Sequence, residues 1–205
     1  MAFTSTQPDP RAAFFDERAA GWEERCYPEK ARERVAALVR EFGVKGGDTI
    51  LDMGAGTGIL APYLRRRCGP KGVIVSMDIS LEMIRHAASK PEYTPGLALQ
   101  ASAMHLPFQE NSFDGIICFA AFPHFSDKAV ALSEMRRVLR PGGRLCIAHL
   151  FSREELARHH GGHPAVAEDT LPEQGDLLRL FAGAGFPVPV VVDIPGRFLA
   201  TVIKE

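Results

Sequence analysis

Residues 50–58 read Ile-Leu-Asp-Met-Gly-Ala-Gly-Thr-Gly, an apolar run that reaches an acid and then opens into glycines at 54, 56 and 58. The run at 49–53 is short, apolar and followed by glycine, which predicts a strand, and 58–67 carries helical spacing. Glycines admit backbone angles closed to other residues and let a ligand approach the main chain. The helix that follows offers free N–H groups and a positive dipole end. The spacing is G-x-G-x-G, whereas the dinucleotide fingerprint G-x-G-x-x-G would need glycine at 59, where Ile59 stands. Taken alone, the loop also fits an ordinary strand-to-helix turn.

Working outward, the chain alternates. Strand-like runs lie at 72–77, 97–101, 113–119 and 144–150, and helical runs at 81–89, with Ser80 as N-cap, and at 128–139, ending at Pro141-Gly142-Gly143. A helix at 176–183 precedes two closing strands, 188–193 and 198–203, around the turn Pro195-Gly196. Ahead of the first strand, residues 13–42 read as helical, divided in two by Pro28. Residues 1–12 read as a flexible tail. Residues 13–205 then form one α/β domain, a doubly wound, mainly parallel seven-stranded sheet with helices on both faces. Residues 13–45 form its N-terminal helical lid. Ligands in such sheets sit beyond the carboxyl ends of the strands, near the switch in strand order.

Composition narrows the function. The 205 residues suit one domain, and a formal net charge of -1 argues against a dedicated nucleic-acid binder. The run Arg65-Arg66-Arg67 reads as a solvated helix end rather than a phosphate site. No signal-peptide core or membrane-spanning run is present, and Cys26, Cys68, Cys118 and Cys146 form no C-x-x-C pair. The expectation is a cytoplasmic protein, monomer or homodimer, with no nucleic-acid or membrane partner.

Asp78 ends the second predicted strand in Val-Ser-Met-Asp-Ile, where a carboxylate can accept both ribose hydroxyl hydrogens. Its alternative is to cap the helix at Ser80. Four stretches now stand in order: ILDMGAGTG at 50–58, MDIS at 77–80, ASAMHLPFQENSFDGIICF at 101–119 and LRPGGRLCIAH at 139–149. Together they resemble the class I S-adenosylmethionine-dependent methyltransferases of the small-molecule type. The resemblance runs from about residue 14 to the C-terminus.

That resemblance implies roles. Asp52, Gly54 and Gly56, with Gly58 completing the loop, would face the methionine part of S-adenosylmethionine. Asp78 would bind the ribose, Ile79 would pack on adenine, Ser102 and Ala103 would meet the adenine edge, and Phe119 would contact the methionine end. Ser102 departs from the family's usual aspartate and would bond adenine more weakly. Phe14, Phe15, Trp22 and Tyr27 precede the first strand, where family members often close over the cofactor; Phe14 and Phe15 alternatively pack this segment on the sheet. After the fourth strand stands Phe-Ala-Ala-Phe-Pro-His-Phe (119–125), without the N/D-P-P-Y/F of many amino-group methyltransferases of bases. Phe122 and His124 would face the acceptor, unless His124 pins the loop.

The expected activity is methyl transfer to a small molecule. The alternatives are a protein or RNA methyltransferase working with a partner, and a non-enzymatic S-adenosylmethionine-binding module. A sulfonium methyl group needs alignment more than covalent help, so no universal catalytic residue is expected. Residues 151–172 read as a His-rich insertion over the active site. With His124 and His149, its His159, His160 and His163 account for five of the seven histidines. Ser152 with Glu155 reads as a capping box for a short helix ending at Gly161-Gly162. Three readings stand side by side. His149, His159, His160 and His163, with Asp169 nearby, hold a divalent transition metal such as zinc, nickel or iron. One histidine, His149 or His124, acts as a metal-free general base. Or the histidines are incidental to a solvated segment.

Overall fold

The computed structural model describes residues 10–93, 97–162 and 166–205. Seven strands form one sheet: β1 (Thr49–Met53), β2 (Val73–Asp78), β3 (Ala98–Gln100), β4 (Phe113–Phe119), β5 (Leu139–His149), β6 (Val190–Ile194) and β7 (Arg197–Ile203). Their order is β3-β2-β1-β4-β5-β7-β6, parallel from β3 through β5 and antiparallel at β7 and β6. The order reverses between β1 and β4, which places a crevice above their carboxyl ends.

Period-two alternation sends neighbouring strand residues to opposite faces, and the core divides accordingly. Leu51, Met53, Ile116, Leu145 and Ile147 pack with α6 (Lys128–Val138) and α8 (Gln174–Gly183), through Leu132, Met135, Leu177 and Phe181. Ile50, Ile74, Ile117 and Cys146 pack with α3 (Glu29–Val39) and α4 (Ala61–Cys68), through Val35, Leu38 and Leu64. The strands are therefore apolar on both faces, as parallel sheets require.

Several local signals act as the residue types dictate. The Ser80 hydroxyl accepts from Met83 N at 3.1 Å and caps α5 (Leu81–Ala88). The Ser152–Glu155 capping box opens α7 (Arg153–Gly161). Arg65 donates to the carbonyls of Glu92, Gly69 and Gly72, so the arginine run serves the end of α4.

Other boundaries differ from the sequence reading. The N-terminal segment forms three helices, α1 (Pro10–Asp16), α2 (Trp22–Cys26) and α3. Pro28 makes one break, and Gly21, with φ of 66°, makes the second. Helix α1 begins inside the expected tail. Residues 58–60 form turns before α4, and β5 starts five residues early because the Pro141-Gly142-Gly143 segment bulges within the strand rather than preceding it. Lys204 fastens that bulge: its Nζ donates to the carbonyls of Arg136 and Leu139 at 2.8 and 2.6 Å. Among the described residues, no helix is long and apolar enough to cross a membrane.

Candidate active site

A cleft lies over the carboxyl ends of β1, β2 and β4. Gly54 and Gly56 both adopt positive φ, 70° and 55°. A Cβ at Gly54 would lie 2.3 Å from the Ala121 Cβ, so glycine there lets two loops meet. A Cβ at Gly56 would meet nothing within 4 Å; that backbone faces open space in the cleft. Gly58 is outside the lining, and a Cβ there would strike the Tyr93 ring at 2.9 Å. Its role is packing, through Tyr93, behind the loop.

Two buried acids frame this backbone. The Asp78 carboxylate accepts from Gly56 N and Ser80 N, both at 2.9 Å, so it fixes the glycine loop and the start of α5 together. Burial raises its pKa despite those bonds. Asp52 is 1% exposed, and the Tyr93 hydroxyl donates to it at 2.6 Å. Burial pushes the Asp52 pKa up to about 7, the Tyr93 bond opposes that, and the Asp78 charge adds to it. Among the described residues, neither acid has an ion-pair partner. Two desolvated carboxyl groups beside an open glycine backbone suit a ligand that brings positive charge and hydroxyl donors.

Ile79, Ala103 and Phe119 line the cleft, as do Trp22 and Tyr27. The Tyr27 ring lies 6.0 Å from Phe119, and Trp22 lies 5.9 Å from Phe15. Phe15, not Phe14, reaches the lining; the Phe14 ring lies under the Arg18 guanidinium instead. Ser102 is also outside it, because its hydroxyl turns back to accept from Met104 N at 3.3 Å. Phe122 is fully buried behind the loop, in contact with Phe125. Its short 3-10 turn, Phe122–His124, points the phenyl ring into the core and His124 into the cleft.

The histidines separate into different roles. His124 Nδ1 lies 2.8 Å from Asp169 Oδ2, while Arg11 grips the same carboxylate at 2.7 and 3.3 Å. Asp169 is 3% exposed; burial works against its charge, but the His124 and Arg11 bonds prevail and hold its pKa at about 2. An ionised carboxylate only accepts, so His124 carries a proton on Nδ1, and the neutral form of the ring has its lone pair on Nε2. His149 does not reach the cleft. Its Nδ1 accepts from Phe151 N at 2.9 Å, and burial, then the neighbouring His160, His124, His159 and Arg34, lower its pKa to about 3.

The metal reading meets the donor set directly. His149 Nδ1 accepts a backbone hydrogen, which puts its own proton on Nε2 and leaves no lone pair for an ion. His160 Nδ1 is bonded to the Asp169 carbonyl at 2.5 Å, and His159 is exposed beside Phe151. His163 lies outside the described residues. Among the described residues, no three His, Cys, Asp or Glu side chains are placed to hold a metal ion.

Sequence reading missed Tyr93, Arg11, Glu23 and Asp16. Glu23 of α2 accepts from Thr57 in the glycine loop at 3.0 Å and from Lys90 at 2.6 Å. Asp16 of α1 accepts from the Ser80 hydroxyl at 2.5 Å and Glu82 N at 3.1 Å. These acids fasten the N-terminal helices across the cleft. The only signal for them was the density of acids in residues 16–24 of a segment with no strand pattern.

Comparison with known proteins agrees with this geometry. A family model described as a methyltransferase domain matches residues 51–147. An uncharacterised 37.1 kDa protein in a Streptomyces fradiae transposon is 30% identical over 96% of this chain and 57% of its own length. The ubiquinone/menaquinone biosynthesis C-methyltransferase UbiE of Hahella chejuensis is 36% identical over 68% of this chain and 57% of its own length. The chain thus spans little more than half the length of these relatives. A solved S-adenosylmethionine-dependent methyltransferase from Aquifex aeolicus superposes with a TM-score of 0.74 at 23% identity, over 91% of this chain and 98% of that one. Residues 51–147 thus match a methyltransferase domain, and the sheet around them has the fold of a solved S-adenosylmethionine-dependent methyltransferase.

Proposed function

We propose that the protein transfers a methyl group from S-adenosylmethionine to a small-molecule acceptor and that His124 is the general base. The observation that carries the reading is the pair of buried carboxyl groups, Asp52 and Asp78, on either side of the open Gly56 backbone. Asp52 suits the cationic methionine end of the cofactor, Asp78 the ribose hydroxyls, and Ile79 and Ala103 an adenine ring. The cofactor supplies an electrophilic methyl group on a sulfonium. The chain's own residues bind, orient, exclude water and move one proton. Trp22 and Tyr27 on the N-terminal lid, with Phe119, supply apolar walls. The small-molecule acceptor is supported by the UbiE relatives, whose named role lies in quinone biosynthesis. His124 Nε2, the lone-pair nitrogen, takes the acceptor's proton, which does not require a metal ion.

Calorimetric titration with S-adenosylmethionine and with S-adenosylhomocysteine tests the cofactor site; absence of binding by both would end this reading. The Asp52 carboxyl adds a finer test. Its raised pKa means that near pH 7 a substantial fraction is protonated without ligand. A cation beside it favours the charged form. Cofactor binding at pH 7 is therefore expected to release protons, seen as a binding enthalpy that depends on the ionisation enthalpy of the buffer. That dependence should fade toward pH 9, where Asp52 is already ionised. A buffer-independent enthalpy at pH 7 contradicts the assignment of Asp52 to the cationic end.

A further inference from the structure

We propose that Arg11 is a positioning residue through which helix α1 sets the proton state of His124, so that the base is ready only when α1 is docked over the cleft. The proposal rests on the reading of His124 as the base. Its foundation is one carboxylate with two clients. Asp169 is buried, and it holds His124 Nδ1 on one oxygen while the Arg11 guanidinium spans both oxygens. Arg11 belongs to the first turn of α1 and lies 158 residues from Asp169 in the chain. The other end of α1 is fastened separately, by Asp16 on the Ser80 hydroxyl and Glu82 N. Between them, the Phe15 ring stands edge-on to the His124 ring at 5.1 Å. One helix therefore covers the imidazole and supplies the cation that shares its counter-ion.

The electrostatic consequence has a definite sign. A carboxylate bonded to an imidazole favours the imidazolium, while a cation at the same carboxylate cancels much of that pull and also repels a second positive charge. With α1 docked, Asp169 can fix the tautomer and orientation of His124 without keeping it protonated. With α1 undocked, the Asp169 charge acts on His124 alone, and the imidazole holds its proton to higher pH. A protonated imidazole has no lone pair and is no base. The acceptor's proton thus has a destination only under a closed cover.

The other charges around His124 stay in place during this change. Asp78 lies at the end of β2, His149 at the end of β5, and His160 and His159 on α7. Lys128 of α6 is near enough to feel Asp169 and Arg11, but its Nζ donates to the carbonyls of Pro123 and Phe125 at 2.9 and 3.2 Å. It is occupied where it stands and does not replace Arg11.

The test is an NMR titration of the full chain with 15N-labelled imidazoles, the His124 signals being assigned by their loss in His124→Gln. In Arg11→Met the His124 midpoint is expected to rise by about one pH unit, the lower end of what one charge partner produces. In Arg11→Lys it should stay close to the wild-type value. Asp16→Ala leaves Arg11, Asp169 and His124 untouched but frees the far end of α1, and it is expected to raise the midpoint as well. An Arg11→Met midpoint equal to that of the wild type overturns the proposal. A rise in Arg11→Met without one in Asp16→Ala overturns the part played by α1. Full methyl-transfer activity in His124→Gln is a separate failure, that of the base reading, and leaves these midpoints readable.

Discussion

Replacing His124 by glutamine is expected to slow methyl transfer by about 100- to 10,000-fold, the range over which a positioned base contributes. The substitution is chosen for what it keeps. Glutamine is close in size, and its amide N–H can still donate to Asp169, so the contact with the loop survives. What disappears is the ring-nitrogen lone pair that can take up a proton. Affinity for S-adenosylhomocysteine should stay as it was, because the cofactor assignment rests on Asp52, Asp78 and the glycine backbone rather than on His124. Single-turnover rates with any acceptor that the wild-type protein methylates, set beside calorimetric affinity, separate the two effects. A wild-type rate in His124→Gln would mean that the acceptor's proton leaves without this side chain. A parallel loss of rate and cofactor affinity would mean that His124 acts by holding the site together. His149→Gln supplies the contrast: His149 lies outside the cleft with its Nδ1 bonded to Phe151 N, so its effect should appear in stability and not in rate.

The contrast between these two histidines marks how far sequence carries. The β–α alternation was legible because burial on two faces leaves period-two and period-three-to-four patterns in the chain. The Ser80 cap and the Ser152–Glu155 box were legible because donor and acceptor lie three residues apart. The glycine loop and Asp78 were legible because a strand end and the turn after it fix where their atoms point. Beyond that reach the reading weakened. Phe122 and His124 are two residues apart, and the pattern gave no reason for one to turn into the core and the other into the cleft; a 3-10 turn decides it. Ser102 points away because it closes a local bond to Met104 N, a competition typical of short hydroxyl side chains. The histidine-rich segment invited a metal because imidazoles are close in sequence. In three dimensions Nδ1 of His149 is taken up by Phe151 N and Nδ1 of His160 by the Asp169 carbonyl. Arg11 sat in a stretch that read as a loose tail, and its importance rests on a carboxylate at the other end of the chain.

Asp78→Ala is expected to weaken binding of S-adenosylmethionine by about 1–3 kcal/mol, the scale of a lost hydrogen bond to a charged group. Two losses contribute. One is the acceptor for the ligand's hydroxyl hydrogens. The other is internal, because Asp78 also holds Gly56 N and Ser80 N, and without it the loop and the start of α5 lose a common anchor. Asp78→Asn divides them: the amide oxygen can still accept a backbone hydrogen, while the charge is gone. If the charge on the ligand side dominates, asparagine should bind nearly as weakly as alanine; if anchoring dominates, asparagine should recover most of the affinity. The same variants reach Asp52. Asp78 is one of the causes that raise the Asp52 pKa, behind burial. Removing that negative neighbour should lower the pKa and shrink the proton release that accompanies cofactor binding at pH 7, without abolishing it. The two carboxyl groups are thus expected to respond as a pair: a variant at Asp78 changes the proton count at Asp52. Unchanged affinity in Asp78→Ala would show that the ribose is held elsewhere, and unchanged proton release would show that the acids do not share one ligand.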